Sequence, residues 1–384
     1  MRILVFANTY AHVSGGDVIF AEMCKVWKEA GQDIEVITNE KGYLFCKDRG
    51  LKTKITVWKA SRADDFGVFM AELYKSIVSG VRPLFLKRES PEIIFSSSFF
   101  WPDIFSAVIT KIKHPKAKLV VGVYLLFPRP LRKVKYDGGL LKAVLLYASQ
   151  LISLYLVDRF ADVVLTASRH KKELLHNNKQ LNDKTVVAIR GGVDIKSIIR
   201  VKHQTKKFDC VYFGRFHSQK GIFDLLDIWK TVLEKRPKSK LLLAGGGQLE
   251  EEIIKHVKDL GTQSSVTISG QVSGSKKYRL LKSTKVFASA SRFDTGNIAL
   301  DEVLACGVPG IVYDLPHLHY DAGVVKVEIG EKDQMALAIL DLLDNPKKRI
   351  KLGVEGKNFI RQYDWHKVSM KVLYLFIASP NYPR

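Results

Sequence analysis

The chain reads as an α/β protein with two parallel-sheet domains, and three observations carry that reading. Short apolar runs alternate with segments whose apolar residues recur at helical spacing, the pattern of strands joined by crossover helices. The alternation begins at residues 2–7 (RILVFA) and begins again at 210–213, after a basic, poorly patterned stretch at 196–207. At 384 residues the chain is too long for one ordinary domain and suits two of roughly 190.

Composition narrows the class. A hydrophobic fraction of 46% with 26% charged residues describes a well-cored soluble protein. Cys24, Cys46, Cys210 and Cys306 stand far apart with no CxxC pair. That argues against a zinc site or disulfide framework and fits a reducing, cytoplasmic setting. The first residues form a strand leading into a glycine turn, not a signal peptide. The net charge of +22 is uneven: residues 101–200 hold 18 Lys and Arg against 7 Asp and Glu, half the surplus in a quarter of the chain. Such a face attracts polyanions, nucleic acid or acidic lipid. No RRM, KH or helix-turn-helix pattern is visible, so no specific nucleic-acid partner is expected.

Taken in order, residues 2–7 are a buried-type strand, followed by a turn with Gly15 and Gly16. A helical pattern over 18–30 ends at Gly31, and 34–38 (IEVIT) is the second strand of a β-α-β opening. Glycines after a first strand allow close backbone approach to a ligand, but the spacing is not GxGxxG, so a dehydrogenase fingerprint is absent. Further strands are expected at 55–58, 93–96, 119–123 and 163–167. In the second half, 241–247 (LLLAGGG) is a strand running into three glycines, 266–271 (VTISGQ) another strand, and 276–283 a short helix. A strand at 310–313 continues the sheet, and helical patterns cover 333–343 and 347–363.

The chemistry concentrates in residues 291–309, SRFDTGNIALDEVLACGVP. A short strand pattern precedes it, a polar turn opens it, and an apolar helix closes at Gly307 and Pro309. Asp294 and Glu302 stand eight apart, one at the mouth of the turn and one in the helix. Amides around Thr295, Gly296, Asn297 and Ile298 lie at a helix N-terminus, where free N–H groups favour an anion. Carboxylates beside an anion site suit a ligand that also carries hydroxyls. A phosphate joined to a polyol is a nucleotide sugar.

This stretch resembles the Glu-x7-Glu motif of retaining glycosyltransferases of family 4. Asp294 stands for the first Glu, Gly296 and Asn297 for the Phe-Gly pair, Glu302 for the second Glu, and Cys306, Gly307 and Pro309 for the closing A-C-G-x-P. Residues 162–175 resemble the family's A-D-x-V strand and cap, with Ser168 as N-cap. Residues 186–194 resemble its I-P-N-G-V-D turn, with Arg190 and Gly191 replacing Pro-Asn. Gly214-Arg215 and Lys220-Gly221 match its G-R…K-G pair, Gly246 its G-x-G turn, Gln271 the strand before its base-binding loop, and Asp364-Trp365 the start of its final helix. The resemblance covers most of the chain, with specific motifs only in the second half.

What it implies is the GT-B architecture, two Rossmann-like domains facing across a cleft. The expected division is an acceptor-binding domain at 1–195, a nucleotide-sugar domain at 208–364 with a linker at 196–207, and a C-terminal helix and tail at 365–384 returning to the first domain. Arg215 and Lys220 would neutralise a departing diphosphate without a metal. Asp294 would bind the donor sugar, Glu302 the ribose, and Gly214, Gly246, Gln271, Thr295, Gly296, Asn297 and Ile298 would line the donor site. Gly15 and Gly16 would close over the phosphates. No DxD triplet occurs, so neither metal nor cofactor is expected; the nucleotide-diphosphate sugar is a substrate. The implied reaction is front-face, retaining transfer to a glycan or lipid-linked acceptor, the leaving phosphate taking the acceptor proton. A non-catalytic scaffold of the same fold and a sugar-nucleotide epimerase are the alternatives.

Two departures stand out. Asp294 is one methylene shorter than Glu. Tyr124 falls where the family commonly has a His, and a Tyr donates a hydrogen bond but is no base at neutral pH; His12 lies near the glycine loop. A last feature is residues 129–135 (RPLRKVK) before 140–157, an apolar stretch interrupted by Lys142. It reads first as a buried helix, and alternatively as an interfacial patch for an anionic membrane, the inner face of the cell membrane, with Phe99-Phe100-Trp101 adding apolar contacts on the acceptor side.

Overall fold

Every sheet pairing among the described residues is parallel, as crossover helices require. The computed structural model describes the chain except for residues 9–13, 59–73, 75–77, 79–88, 128, 131–138, 168–172, 174–180, 182–184, 295, 316–317 and 379–384. His12, Ser168, Thr295 and the cations Arg132, Lys133 and Lys135 therefore lie outside the described residues. The chain divides into two units, Met1–Gly191 with His366–Arg384, and Gly192–Trp365.

In the first unit β1 (Arg2–Phe6), β2 (Asp33–Asn39), β3 (Lys54–Trp58), β4 (Ile93–Ser96), β5 (Lys118–Gly122), β6 (Val163–Thr166) and β7 (Thr185–Ala188) form one sheet in the order β3-β2-β1-β4-β5-β6-β7. Helices α1 (Gly15–Glu29), α2 (Glu40–Asp48), α3 (Trp101–Lys113) and α4 (Gly139–Phe160) accompany it. Helix α1 starts where Ser14 and Asp17 exchange hydrogen bonds in a capping box, and it buries Phe20, Met23 and Trp27. Strand order reverses between β1 and β4, which opens a crevice at their carboxyl ends.

The second unit repeats the plan. Strands β8 (Phe208–Phe213), β9 (Leu241–Ala244), β10 (Val266–Ile268), β11 (Thr284–Ser289), β12 (Gly310–Tyr313) and β13 (Val324–Val327) run in the order β10-β9-β8-β11-β12-β13. Its helices are α5 (Ile195–Arg200), α6 (Ile222–Lys235), α7 (Glu250–Asp259), α8 (Gly274–Lys282), α9 (Ile298–Ala305), α10 (Lys332–Asp344) and α11 (Pro346–Ile360). Side chains alternate along β8: Cys210 and Tyr212 join Trp229 and Leu225 on one face, while Val211 and Phe213 join Phe287 and Leu304 on the other. Here the order reverses between β8 and β11. The final helix, α12 (Trp365–Ala378), packs its Val372, Leu373 and Phe376 into the protein, and the Trp27 indole of α1 donates to the Ser369 carbonyl at 2.8 Å.

Two expectations change. The stretch at 196–207 is not a linker but part of the second unit: Asp194 caps α5, and the Lys206 ammonium donates to the carbonyls of Lys282 and Thr284. The crossover falls at Gly191–Gly192 instead. Helix α4 is not a buried core helix, since only 28% of Ala143–Phe160 is buried.

Candidate active site

The site is built at the reversal between β8 and β11, from the loops that leave their carboxyl ends. Loops after β8 and β9 pack backbone to backbone: Gly214 N donates to the Ala244 carbonyl and Phe216 N to the Gly246 carbonyl. A Cβ on Gly245 would overlap the Gly214 carbonyl oxygen, so only glycine permits this approach. A 3-10 turn, Ser218–Lys220, follows and ends at Gly221 with φ 61°, where a Cβ would overlap the Ala290 carbonyl. The Ser291 hydroxyl and Arg292 N both donate to the Gln219 carbonyl, pinning this turn to the loop after β11.

Lys220 is thereby brought to Asp294, its ammonium donating to Oδ2 at 2.6 Å. Asp294 is 8% exposed, and its Oδ1 accepts from Asn297 N at 3.1 Å and Gly296 N at 3.4 Å. Burial alone would raise this carboxyl's pKa; the Lys220 charge and the backbone donors overcome burial and hold it below the ordinary value. The amides of Gly296 and Asn297, expected to face a ligand phosphate, serve Asp294 here. The helix N-terminus has its anion already, supplied by the chain.

Asn297 takes the left-handed conformation, φ 39° and ψ 53°, and its Oδ1 caps α9 by accepting from Leu300 N at 3.1 Å. Ile298 opens that helix, and Glu302 lies one turn in. The Lys277 ammonium of α8 donates to Glu302 Oε1 at 2.6 Å and lies 4.7 Å from the centre of the Tyr278 ring. Nothing in the sequence singled out Lys277 beyond its place in a basic helix. Gly246 abuts Gln271, whose Cγ would sit 3.1 Å from an added Cβ. Arg215 is exposed and forms no ion pair with a described residue, which leaves its guanidinium available. Among the described residues no three His, Cys, Asp or Glu side chains converge as metal ligands.

In the first unit the structure brings Gly16 and Tyr124 together, an added Cβ at Gly16 falling 3.0 Å from Tyr124 Cδ2; Gly15 is the first residue of α1. Burial raises the Tyr124 hydroxyl's pKa, so the side chain stays a phenol at neutral pH. Of the aromatic run, Phe99 is buried in the core and presents no contact surface. Asp103, which sequence reasoning missed, sits fully buried at the β1–β4 reversal. It accepts from Asn8 N at 2.9 Å, Asn8 Nδ2 at 2.7 Å, the Ser98 hydroxyl at 2.6 Å and the Ser97 hydroxyl at 3.2 Å. Burial pushes its carboxyl up to about 7 despite these donors.

Two parallel α/β units, each with a ligand-type crevice at a strand-order reversal, are the fold of the GT-B glycosyltransferases. Residues 194–359, nearly the whole second unit, match the family described as Glycosyl transferases group 1. Anabaena HepE in complex with UDP and glucose has the same fold: TM-score 0.72 at 14% identity, covering 99% of this chain and 100% of that one. So has the sucrose-phosphate synthase of Thermosynechococcus elongatus, at 0.71 and 15%, covering 98% and 100%. Among curated relatives, the GDP-mannose:cellobiosyl-diphosphopolyprenol alpha-mannosyltransferase of Xanthomonas oryzae is 25% identical over 47% of this chain and 49% of its own length. The alpha-monoglucosyldiacylglycerol synthase of Streptococcus pneumoniae is 31% identical over 34% of this chain and 30% of its own. The chain spans about half or less of these relatives' length.

Proposed function

We propose that the chain is a retaining, metal-independent glycosyltransferase moving a sugar from a nucleotide-diphosphate sugar to a glycan or lipid-linked acceptor at the cytoplasmic face of a membrane. The observation that carries this reading is the Lys220–Asp294 pair at the β8–β11 reversal, with Glu302 eight residues on and inside a glycosyl transferases group 1 segment. Arg215 and Lys220 hold the diphosphate, Lys220 exchanging part of its bond to Asp294 for a phosphate oxygen. Asp294 accepts from the donor sugar and Glu302 from the ribose through the oxygen Lys277 leaves open. Gly214, Gly246, Gln271, Thr295, Gly296, Asn297 and Ile298 shape the donor site; Gly15 and Gly16 serve the donor phosphates, and Tyr124 donates to a sugar hydroxyl.

The bond from the sugar's anomeric carbon to the phosphate oxygen breaks with its electron pair passing to that oxygen. The acceptor hydroxyl attacks from the same face, and its proton passes to the departing phosphate. Negative charge grows on the diphosphate as the bond breaks, and two preplaced cations stabilise it more in the transition state than in the ground state. A relative uses GDP-mannose, and a solved neighbour holds UDP; the diphosphate that stabilises this chain identifies the base. Thermal shift against UDP, GDP, ADP and dTDP, with and without Mg2+, tests the reading. A selective shift by one diphosphate without Mg2+ is expected. A shift that needs Mg2+ would overturn metal independence, and no shift with any of them would overturn the donor site.

A further inference from the structure

Helix α4 has the composition of a core helix and the exposure of a surface one. From Ala143 to Phe160 its mean hydropathy is 1.3, enough by length and composition to cross a bilayer. A helix that is apolar all round belongs in a protein core or in lipid. Gln150, Ser153, Leu154 and Val157 are buried, which packs this side of α4 against the unit. On the opposite side Leu140, Leu141, Val144, Leu151, Ile152 and Tyr155 are exposed, by 74% at Leu141 and 69% at Tyr155. None of the exposed side chains described between Leu140 and Tyr155 is charged.

The placement of this face matters as much as its chemistry. The Trp101 indole at the start of α3 donates to the Ser149 carbonyl at 3.2 Å, and Gln150 exchanges hydrogen bonds with the backbone of Phe127. Trp101 follows β4 and Phe127 follows β5, so residues 149–150 lie level with the carboxyl edge of the sheet. At the other end Lys111 of α3 reaches Asp162, just past α4, at 2.9 Å. The two helices therefore run side by side in the same direction. Residues 140–148 project roughly 13 Å beyond the sheet's carboxyl edge, at about 1.5 Å per residue. That is the edge at which Gly16, Tyr124 and Asp103 lie.

We propose that this apolar spur docks the first unit onto an anionic lipid bilayer. Leu140, Leu141 and Val144 enter the head-group and acyl boundary, and the acceptor edge of the sheet is thereby turned toward the membrane. The occupant is argued from charge: the chain just before α4 carries Arg129, Arg132, Lys133 and Lys135 in sequence, and residues 101–200 hold 18 cations against 7 anions. Apolar side chains flanked by cations suit an interface with acidic head groups. The purpose given to the surface, access to a lipid-linked acceptor, rests on the proposed function. The binding itself does not.

Flotation of the purified chain with phosphatidylcholine vesicles, with and without about a third phosphatidylglycerol, tests it. The wild type should float with the anionic vesicles, less as salt rises. The triple variant L140S/L141S/V144S should lose roughly tenfold or more of that binding while keeping its melting temperature. Failure of the wild type to float, or a triple variant that floats equally well, would overturn the proposal. So would a wild-type dimer by light scattering that the triple variant converts to monomer, since the face then belongs to a second copy. Diphosphate thermal shifts on the same preparations separate the readings: vesicle binding without any nucleotide shift would sink the transferase and leave the surface.

Discussion

Lys220 and Asp294 each make the other tolerable where they sit. A carboxylate this buried needs a cation and donors, and losing the cation leaves an uncompensated charge. Lys220→Met should therefore lower stability by about 3 kcal/mol and abolish the diphosphate shift, read by chemical denaturation and thermal shift. The carboxyl is held below its ordinary 3.8, so the pair's stabilisation is complete above that value and is lost as pH falls beneath it. Melting temperature should drop as pH falls below about 4, and Asp294→Asn should flatten that drop. Lys277→Met should weaken diphosphate binding about tenfold with little change in the fold, by titration calorimetry. Spacing along the chain made Asp294, Glu302 and Lys220 legible in the sequence. Lys277 and Asp103 were not, because their partners are chosen by packing between elements and no local pattern marks them. Asn297 sits where the family motif has Gly, and it keeps the left-handed backbone that Gly would adopt. Asn297→Gly should change stability by less than about 0.5 kcal/mol, while Asn297→Ala should cost about 2 kcal/mol through lost cap and strained backbone.

At the scale of elements, the turn carrying Lys220 depends on one glycine. Gly221→Ala forces a side chain into the left-handed region and into the Ala290 carbonyl. We expect a loss of more than about 2 kcal/mol together with the diphosphate shift, because the turn must leave β11 to relieve the overlap. A mutant with full stability and full shift would show that the turn does not position Lys220. Buried strands such as β1, β4 and β11 were readable as apolar runs. Strand β13 escaped because VVKV is a half-exposed edge with one cation, and α2 because its N-cap, Asn39, is also the last residue of β2, with no turn between them. Helix α4 misled in the opposite sense: composition alone says that it is apolar, and only its packing says which half of it is covered.

For the whole molecule, the division into two parallel-sheet units was legible because the β-α-β pattern stops and restarts. The position of the crossover was not, because a basic surface segment that caps and pairs within the second unit looks like a linker in sequence. Helix α12 belongs to the first unit by contact: Trp27 packs edge-on against Phe376 at 5.5 Å, and the Lys118 ammonium donates to the Phe376 carbonyl at 2.7 Å. Ending the chain after Trp365 removes the buried Val372, Leu373 and Phe376, at about 1.5–3 kcal/mol each. Calorimetry should then show the first unit's transition lost or strongly lowered and the second unit's retained.

That same helix imposes an order on synthesis. The second unit is one continuous stretch, 192–365, 174 residues in all, whereas the first is interrupted by it. At about 5–20 residues per second, residues 1–191 wait roughly 9 to 35 s for the helix that covers Trp27. Pulse proteolysis of a released chain ending at Trp365 should find the second unit protected and the first still open. The half of the protein made first is thus the half finished last, and a ribosome that stalls late releases a folded second unit together with an unfinished first one.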